Sequence, residues 1–550
     1  MKGRTQTVGV RTLLMVLIFL FGGTMVQGCA NRLFTMVDQA SDQQPASMKL
    51  ALIHFAADHK KPHQNLAALV SLNRQAAESG ASLILNTEMA VSGYSFKSRQ
   101  DIAPYAETDQ GPTIRAMSEV AANYNVYIGI AFAERDPATD IFYNAAVLLG
   151  PDGQPITKYR KILAERRWAR AGSPVQQGMA DTPWGRVGIA ICADSYSGLI
   201  TRTMALKSVD LLWVPANWPA VGGLDPMTVW RARVLENGFY LAACNRTGKD
   251  LTMDCTRAVS CVLDPTGRAV FAGTLETSRV FLVDIPLDSN GKWANVQRDA
   301  KMQARELAYY RPIYLQPWMA DFTGFHHLPE PGLLHIHCLV PTDERLTPDT
   351  LSSQIETHTQ KRPALWVLPT INENDADEAQ LTAIAEQYHV AMATVFSRST
   401  GLSQRVLITA DGVRSFMHDV AETQTSAKEF PFKIQHVGPA AIAMAPVDAF
   451  AHPELAVTLS KLGSDLVVVC GDDISDNDYL LSRIKALAGI AVVAGSNKSA
   501  QITGVHDHHF NWEHEELNHP GVLSYVLDTT KTRKKMFHEN IDYDVLLTKP

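Results

Sequence analysis

The sequence predicts an α/β fold arranged as two tandem units of one plan. Three observations carry that expectation. From Met48 onward, short β-branched runs alternate with longer helical stretches, a pattern that lays helices over the faces of sheets. The same order of runs recurs after Gly332. Of 550 residues, 46% are hydrophobic and 19% charged, the usage of a globular chain, which argues against a disordered, collagenous or coiled-coil protein.

The elements follow in order. Lys49–Phe55 reads as a strand, Asn65–Ser79 as an amphipathic helix and Ser82–Leu85 as a second, buried strand. Further strands are expected at Val126–Ala133, Ala145–Leu149, Val187–Ile191, Leu211–Val214 and Tyr240–Ala243. Pro151-Asp152-Gly153 supplies the turn of a hairpin. In the second unit, Leu333–Leu339 and Ala364–Leu368 repeat the first two strands. Glu378–Tyr388 with Val390–Phe396 repeats the helix and strand of Met117–Ala131. Asp411-Gly412 repeats the turn Asp152-Gly153, and Gly463–Val469 repeats Ser208–Val214. The pattern is an internal duplication of a unit of ~200 residues, a period too long for a solenoid; two unrelated α/β domains are the alternative. Pro317, Pro329, Pro331 and the pair His326-His327 mark residues 316–332 as the join between a unit at 48–315 and one at 333–550.

Charge and targeting signals bound the partners. Fifty Lys and Arg against 57 Asp and Glu leave a net charge of −7, without the basic excess that nucleic-acid binding requires. Leu13–Val26 is the one stretch apolar enough for a membrane and is shorter than the ~20 residues of a spanning helix, which excludes a multi-span transporter. Lys2, Arg4 and Arg11 ahead of Leu13–Phe21 have the layout of a secretory signal peptide. Its end, Val26-Gln27-Gly28-Cys29, resembles a bacterial lipobox, although Gln27 departs from the usual small residue. The expectation is an exported protein on the periplasmic side, tethered to the membrane through lipid on Cys29, with residues 30–47 as tether. An uncleaved anchor or an ordinary signal cut are the alternatives.

The seven cysteines include no C-x-x-C pair, so neither a zinc ribbon nor a disulfide scaffold is expected, while a Cys255–Cys261 bridge stays open. His506, His508, His509 and His514, with Asp507 and Glu513, are too irregularly spaced for a metal site and read as a solvated loop. Lys531–Lys535 reads as a solvated tail.

Three residues in the first unit sit where chemistry is expected. Cys192 directly follows the strand Val187–Ile191, at a strand-to-helix turn that would expose its thiol at a sheet edge and favour the thiolate through nearby backbone N–H groups. Glu88 follows the buried strand Leu83–Leu85 and precedes the Gly93-Tyr94 turn, a placement suited to a general base. Lys161, in Lys158-Tyr159-Arg160-Lys161, could stabilise an oxyanion and hold the two other charges together.

These contexts, in chain order with Tyr143-Asn144, Ile191-Cys192-Ala193-Asp194, Val214–Pro219, Arg231–Asn237, Asn245–Gly248 and Tyr310–Tyr314, resemble the carbon–nitrogen hydrolase family, or nitrilase superfamily. The resemblance covers Lys49–Tyr314. It implies an α-β-β-α sandwich and a Glu88, Lys161 and Cys192 triad that forms a thioester. Ala193 would give its backbone N–H to the oxyanion, and Tyr94, Asn217 and Trp218 would bind substrate. The resemblance also implies a second carboxylate, Glu165, seven residues before Gly172, placing substrate and water; pairing with Arg166 or Arg167 is its alternative. No metal or organic cofactor is implied. Cys192-Ala193-Asp194 departs from the Cys-Trp-Glu of nitrilases, which favours amides over nitriles, and Tyr196-Ser197-Gly198 replaces a common Phe-Pro-Glu, which leaves the pocket floor open.

The second unit looks like a degenerate copy. Thr370 falls at the place of Glu88, the stretch Ile442–Val447 at that of Cys192 and Val420 near that of Lys161. Its expected role is to pack against the first unit or to shape the pocket, a layout resembling the biotinidase and pantetheinase families. The expected activity is hydrolysis of a small amide or N-carbamoyl compound. An acyltransferase of the same superfamily, an amide hydrolase similar to the biotinidase and pantetheinase families, and a noncatalytic binding module remain alternatives.

Overall fold

A computed structural model of the protein describes residues 46–176, 178–220, 224–315, 321–342, 346–417, 430–505, 513–535 and 540–548. The expected leader with Cys29, residues 30–45 of the tether, His506–His509 and the Val420 position lie outside them. Ser47, expected in the tether, already belongs to the first strand, because it pairs with Pro286 across an antiparallel ladder.

The first half contributes β1 (Ser47–His54), β2 (Leu83–Asn86), β3 (Tyr127–Arg135), β4 (Phe142–Leu149), β5 (Pro155–Arg160), β6 (Met179–Thr182), β7 (Gly185–Ile189), β8 (Leu211–Ala216), β9 (Tyr240–Asn245), β10 (Ser260–Leu263), β11 (Ala269–Gly273) and β12 (Arg279–Pro286). They form two sheets, ordered β12-β1-β2-β3-β4-β5 and β11-β10-β9-β8-β7-β6. Side chains alternate across each strand. Leu50, Leu52, Leu83 and Leu85 therefore face Val187, Ile189, Leu211 and Trp213 of the other sheet. Ala51, Ile53, Ile84 and Ile128 point outward, where Leu69 and Ala76 of the helix Pro62–Glu78 and Met117 and Val120 of the helix Pro112–Tyr124 cover them. Helices Gly198–Leu206 and Pro226–Asn237 lie on the far side of the second sheet, completing an α-β-β-α sandwich.

The second half repeats the plan with β13 (Leu333–Val340), β14 (Ala364–Val367), β15 (Ile371–Asn372), β16 (Ala391–Ser397), β17 (Ser403–Thr409), β18 (Gly412–Ser415), β19 (Gln435–Val437), β20 (Ala440–Met444), β21 (Leu466–Cys470), β22 (Ala491–Gly495), β23 (Ala500–Thr503), β24 (His514–Leu517) and β25 (Gly521–Asp528). Its sheets run β25-β13-β14-β16-β17-β18 and β19-β20-β21-β22-β23-β24, the order of the first half strand for strand, with β15 added beside β16. The turn at Asp152-Gly153 closes the hairpin β4–β5, and that at Asp411-Gly412 the hairpin β17–β18. By register, Thr370 stands at the place of Glu88 and Val447 at that of Cys192.

The halves meet through helices. Pro226–Asn237 packs against Asp476–Ile484, and Gly198–Leu206 against Pro453–Lys461. Both Cys255 and Cys261 are buried free thiols, so the bridge left open by the sequence is not formed. Among the described residues no helix is long and apolar enough to cross a membrane, and no group of His, Cys, Asp and Glu could hold a metal ion.

Candidate active site

Four strand ends converge on one buried cluster of side chains. Glu88 follows β2, Lys161 follows β5, Cys192 follows β7 by three residues and Asn217 directly follows β8. Two of the connections are strained: Met89, next to Glu88, has φ of 52° and Cys192 has φ of 44°, in the left-handed region that non-glycine residues seldom occupy. Strain of this kind persists where surrounding structure over-determines the backbone, as it does at many catalytic turns.

Lys161 is the centre of the charge arrangement. Its Nζ donates to Glu88 Oε1 at 2.7 Å and to Glu165 Oε1 at 2.5 Å, and the side chain is 1% exposed. Asn144 Nδ2 donates to Glu88 Oε1 at 2.8 Å and to Glu165 Oε2 at 3.2 Å, and Tyr94 Oη donates to Glu165 Oε1 at 2.8 Å. The other Glu88 oxygen accepts from the backbone N–H and the side-chain amide of Asn217, both at 3.0 Å. Burial works to lower the Lys161 ammonium, but Glu165 and Glu88 outweigh it and hold it well above the ordinary lysine value. Burial likewise works to raise Glu165, and the Lys161 charge outweighs it, keeping that carboxyl below its usual range.

Two carboxylates facing one ammonium leave net negative charge beside Cys192. Burial, and then the charge of Glu88, push the Cys192 thiol well above its ordinary value, with Lys161 and the Asn217 N–H offsetting part of the rise. This runs against two expectations. Cys192 is 7% exposed rather than open, because β7 is an interior strand of its sheet, flanked by β6 and β8. The shift of its thiol is upward, away from the thiolate that the turn was expected to favour.

Asp194 ties the nucleophile turn to the lysine loop. Its carboxylate accepts from the N–H of Leu163 at 2.7 Å, of Ile191 at 3.2 Å and of Ile162 at 3.4 Å, and from Tyr159 Oη at 2.9 Å. Burial raises it to about 6 against those donors.

Glu165 pairs with Lys161 rather than with Arg166 or Arg167; the Arg167 guanidinium instead lies over the Tyr94 ring at 5.8 Å. Asn217, expected to bind substrate, has its backbone and side-chain N–H groups engaged by Glu88 and is a positioning residue for that carboxylate. Trp218, expected to bind substrate, is 2% exposed and lies against Tyr196, with ring centroids 4.5 Å apart. Ala193 lies in the 3₁₀ turn Cys192–Tyr196 directly after the strained cysteine. Asn144, Tyr159 and Asp194 were present in the sequence motifs without a role of their own; nothing in the spacing reveals which neighbours they join.

The carbon-nitrogen hydrolase family profile matches residues 49–295. A nitrilase of Pyrococcus abyssi is 32% identical over 206 residues, 37% of this chain and 76% of that one. The omega-amidase NIT2 of Mus musculus is 30% identical over 247 residues, 42% of this chain and 87% of that one. A citrullinase of Francisella tularensis is 28% identical over 244 residues, 40% and 83% of the two chains. The crystal structure of Saccharomyces cerevisiae Nit3, a member of branch 10 of the nitrilase superfamily, is 21% identical, covers 44% of this chain and 90% of that one, and superposes with a TM-score of 0.40. The chain belongs to the carbon–nitrogen hydrolase family, within the nitrilase superfamily.

Proposed function

We propose that the protein is a thiol amidase that cleaves a non-peptide C–N bond of a small amide or N-carbamoyl compound through a Cys192 thioester. The observation that carries this reading is the buried Lys161 ammonium held between Glu88 and Glu165 beside the strained Cys192. As Cys192 Sγ attacks the carbonyl carbon, Glu88 takes the thiol proton. Lys161 and the N–H of Ala193 stabilise the oxyanion, and collapse expels the amine with the proton returned by Glu88. Glu88 then deprotonates a water, which attacks the thioester; the acid departs and the thiolate regains the proton. Glu165, oriented by Tyr94 and Asn144, places substrate and water. The named activities of the omega-amidase and citrullinase relatives support a small-molecule substrate.

The second half has Thr370 and Val447 where a base and a nucleophile would stand, and its role in this reading is to cover the helices Gly198–Leu206 and Pro226–Asn237. Residues 1–29 export the protein and lipid on Cys29 tethers it to the membrane.

Incubation with a panel of small linear amides and N-carbamoyl amino acids tests the catalytic reading. Ammonia or amine release that disappears in Cys192→Ala supports it, and release retained in that variant refutes it. Exclusive transfer of the acyl group to an added amine, with no hydrolysis, would assign an acyltransferase instead. For the tether, Cys29→Ser is expected to move the protein from the membrane to the soluble fraction; unchanged membrane association would refute lipidation.

A further inference from the structure

A cavity open to solvent lies between the two halves. One wall is Tyr196–Leu199 with Arg233 and Glu236; the other comes from the helix Pro453–Lys461 and from Ile484, Lys485 and Ala488. Its lining mixes two chemistries. Leu199, Val457, Ile484 and Ile541 give it apolar surface, while Lys461, whose Nζ donates to Tyr543 Oη at 2.9 Å, lines it as well. Arg233 Nη1 donates to Glu236 Oε2 at 2.5 Å, and Lys485 Nζ donates to Glu236 Oε1 and, at 3.1 Å, to the carbonyl of Ala451. A single carboxylate thus answers two cations that are 2% and 3% exposed, and Arg233 Nε is buried without a hydrogen-bond partner.

The imbalance continues one layer outward. Arg202 Nε lies 3.4 Å and Arg305 Nε 2.8 Å from the same oxygen of Glu454, all three side chains being buried. Four buried cations therefore share two carboxylates among the described residues. Burial lowers the Lys485 ammonium to about 8 in spite of Glu236, with Arg233 adding to the fall. Burial and then Arg202 lower His452 to about 3, so this neighbour adds no charge. Buried positive charge without an equal number of anions is costly, and a bound anion relieves it.

We propose that this cavity is a binding site for a small aliphatic carboxylate, with Arg233 and Lys485 receiving the carboxylate and Leu199, Val457 and Ile484 the hydrocarbon. An anion with an apolar body matches both the charged and the apolar lining, whereas inorganic phosphate matches the charged lining alone. Tyr196 lines the cavity and ends the turn Cys192–Tyr196, so this wall stands four residues along the chain from Cys192.

Titration calorimetry on the full chain, with hexanoate, hexanol, hexylamine and inorganic phosphate as probes, tests the assignment. Hexanoate is expected to bind one per chain, at least about tenfold tighter than hexanol, the return from charge-assisted hydrogen bonds. Hexylamine and phosphate are expected to bind more weakly than hexanoate by at least the same factor. Val457→Trp and Ala488→Phe, at half-buried lining positions, should each abolish the hexanoate heat while the far-ultraviolet circular dichroism stays unchanged. Lys485→Met should reduce hexanoate to the affinity of hexanol. Binding should persist after Cys192 is alkylated with iodoacetamide. No hexanoate binding, equal affinity for hexanol or phosphate, heat undisturbed by either well-folded filling variant, or heat lost on alkylation would each overturn the proposal.

Discussion

Asp210 and Asp465 hold the same post in the two halves. Each accepts the backbone N–H of the neighbouring strand at 2.8 Å, from Arg186 and from Ala441, and each is gripped by an arginine that arrives late in its half, Arg298 and Arg533. The two halves therefore share this scaffold device. They differ at the candidate site, where Val447 stands in place of Cys192 and Thr370 in place of Glu88.

Lys161→Met is expected to cost both stability and activity. It leaves Glu88 and Glu165 buried with no cation between them, a loss of about 3–5 kcal/mol. Urea unfolding checks the figure, and a variant as stable as the parent would show that Lys161 does not neutralise this pair.

The left-handed backbone at Cys192 yields a stability order between two inactive variants. Alanine at φ of 44° keeps the strain, whereas glycine is relieved of it, so Cys192→Gly should exceed Cys192→Ala by about 1 kcal/mol in urea unfolding. The reverse order would contradict the geometry.

Glu88→Gln should separate reactivity from turnover. Burial and the Glu88 charge both raise the Cys192 thiol; removing that charge lowers it and increases the thiolate fraction at pH 8. Alkylation by iodoacetamide should therefore quicken while amide hydrolysis is lost. Slower alkylation would mean that Glu88 does not act on the thiol in the resting enzyme.

Asp194 imposes a pH dependence on stability. Its carboxyl is raised from 3.8 to about 6, so between those values the native state binds the extra proton. The stability it contributes is complete below pH 3.8 and is lost as pH rises through 6, a change of about 3 kcal/mol. Stability curves of the parent and Asp194→Asn, measured by urea unfolding from pH 4.5 to 7, should diverge across that window; parallel curves would contradict the shift.

Much of the fold was legible because its strands announce themselves. Buried runs such as Leu83–Leu85 and Val467–Val469, and the turns at Gly153 and Gly412, encode local structure with local residues. The edge strands Arg279–Pro286 and Gly521–Asp528 escaped notice, since their pairing partners lie more than 180 residues away in the chain and nothing local marks them. The site divides in the same way. Glu88, Lys161 and Cys192 stand out at strand ends, and the contact of Glu165 with Lys161 is between residues four apart on the chain. The burial of Cys192, the capture of Asn217 by Glu88 and the tie from Asp194 to Leu163 arise only when the two sheets close on one another.

The thioester on Cys192 is the central claim, and mass spectrometry of protein quenched in acid during amide turnover tests it most directly. The account expects an added acyl mass on the peptide containing Cys192, absent from Cys192→Ala, whose amine release should fall by more than about a thousandfold. Turnover that persists in Cys192→Ala would contradict it.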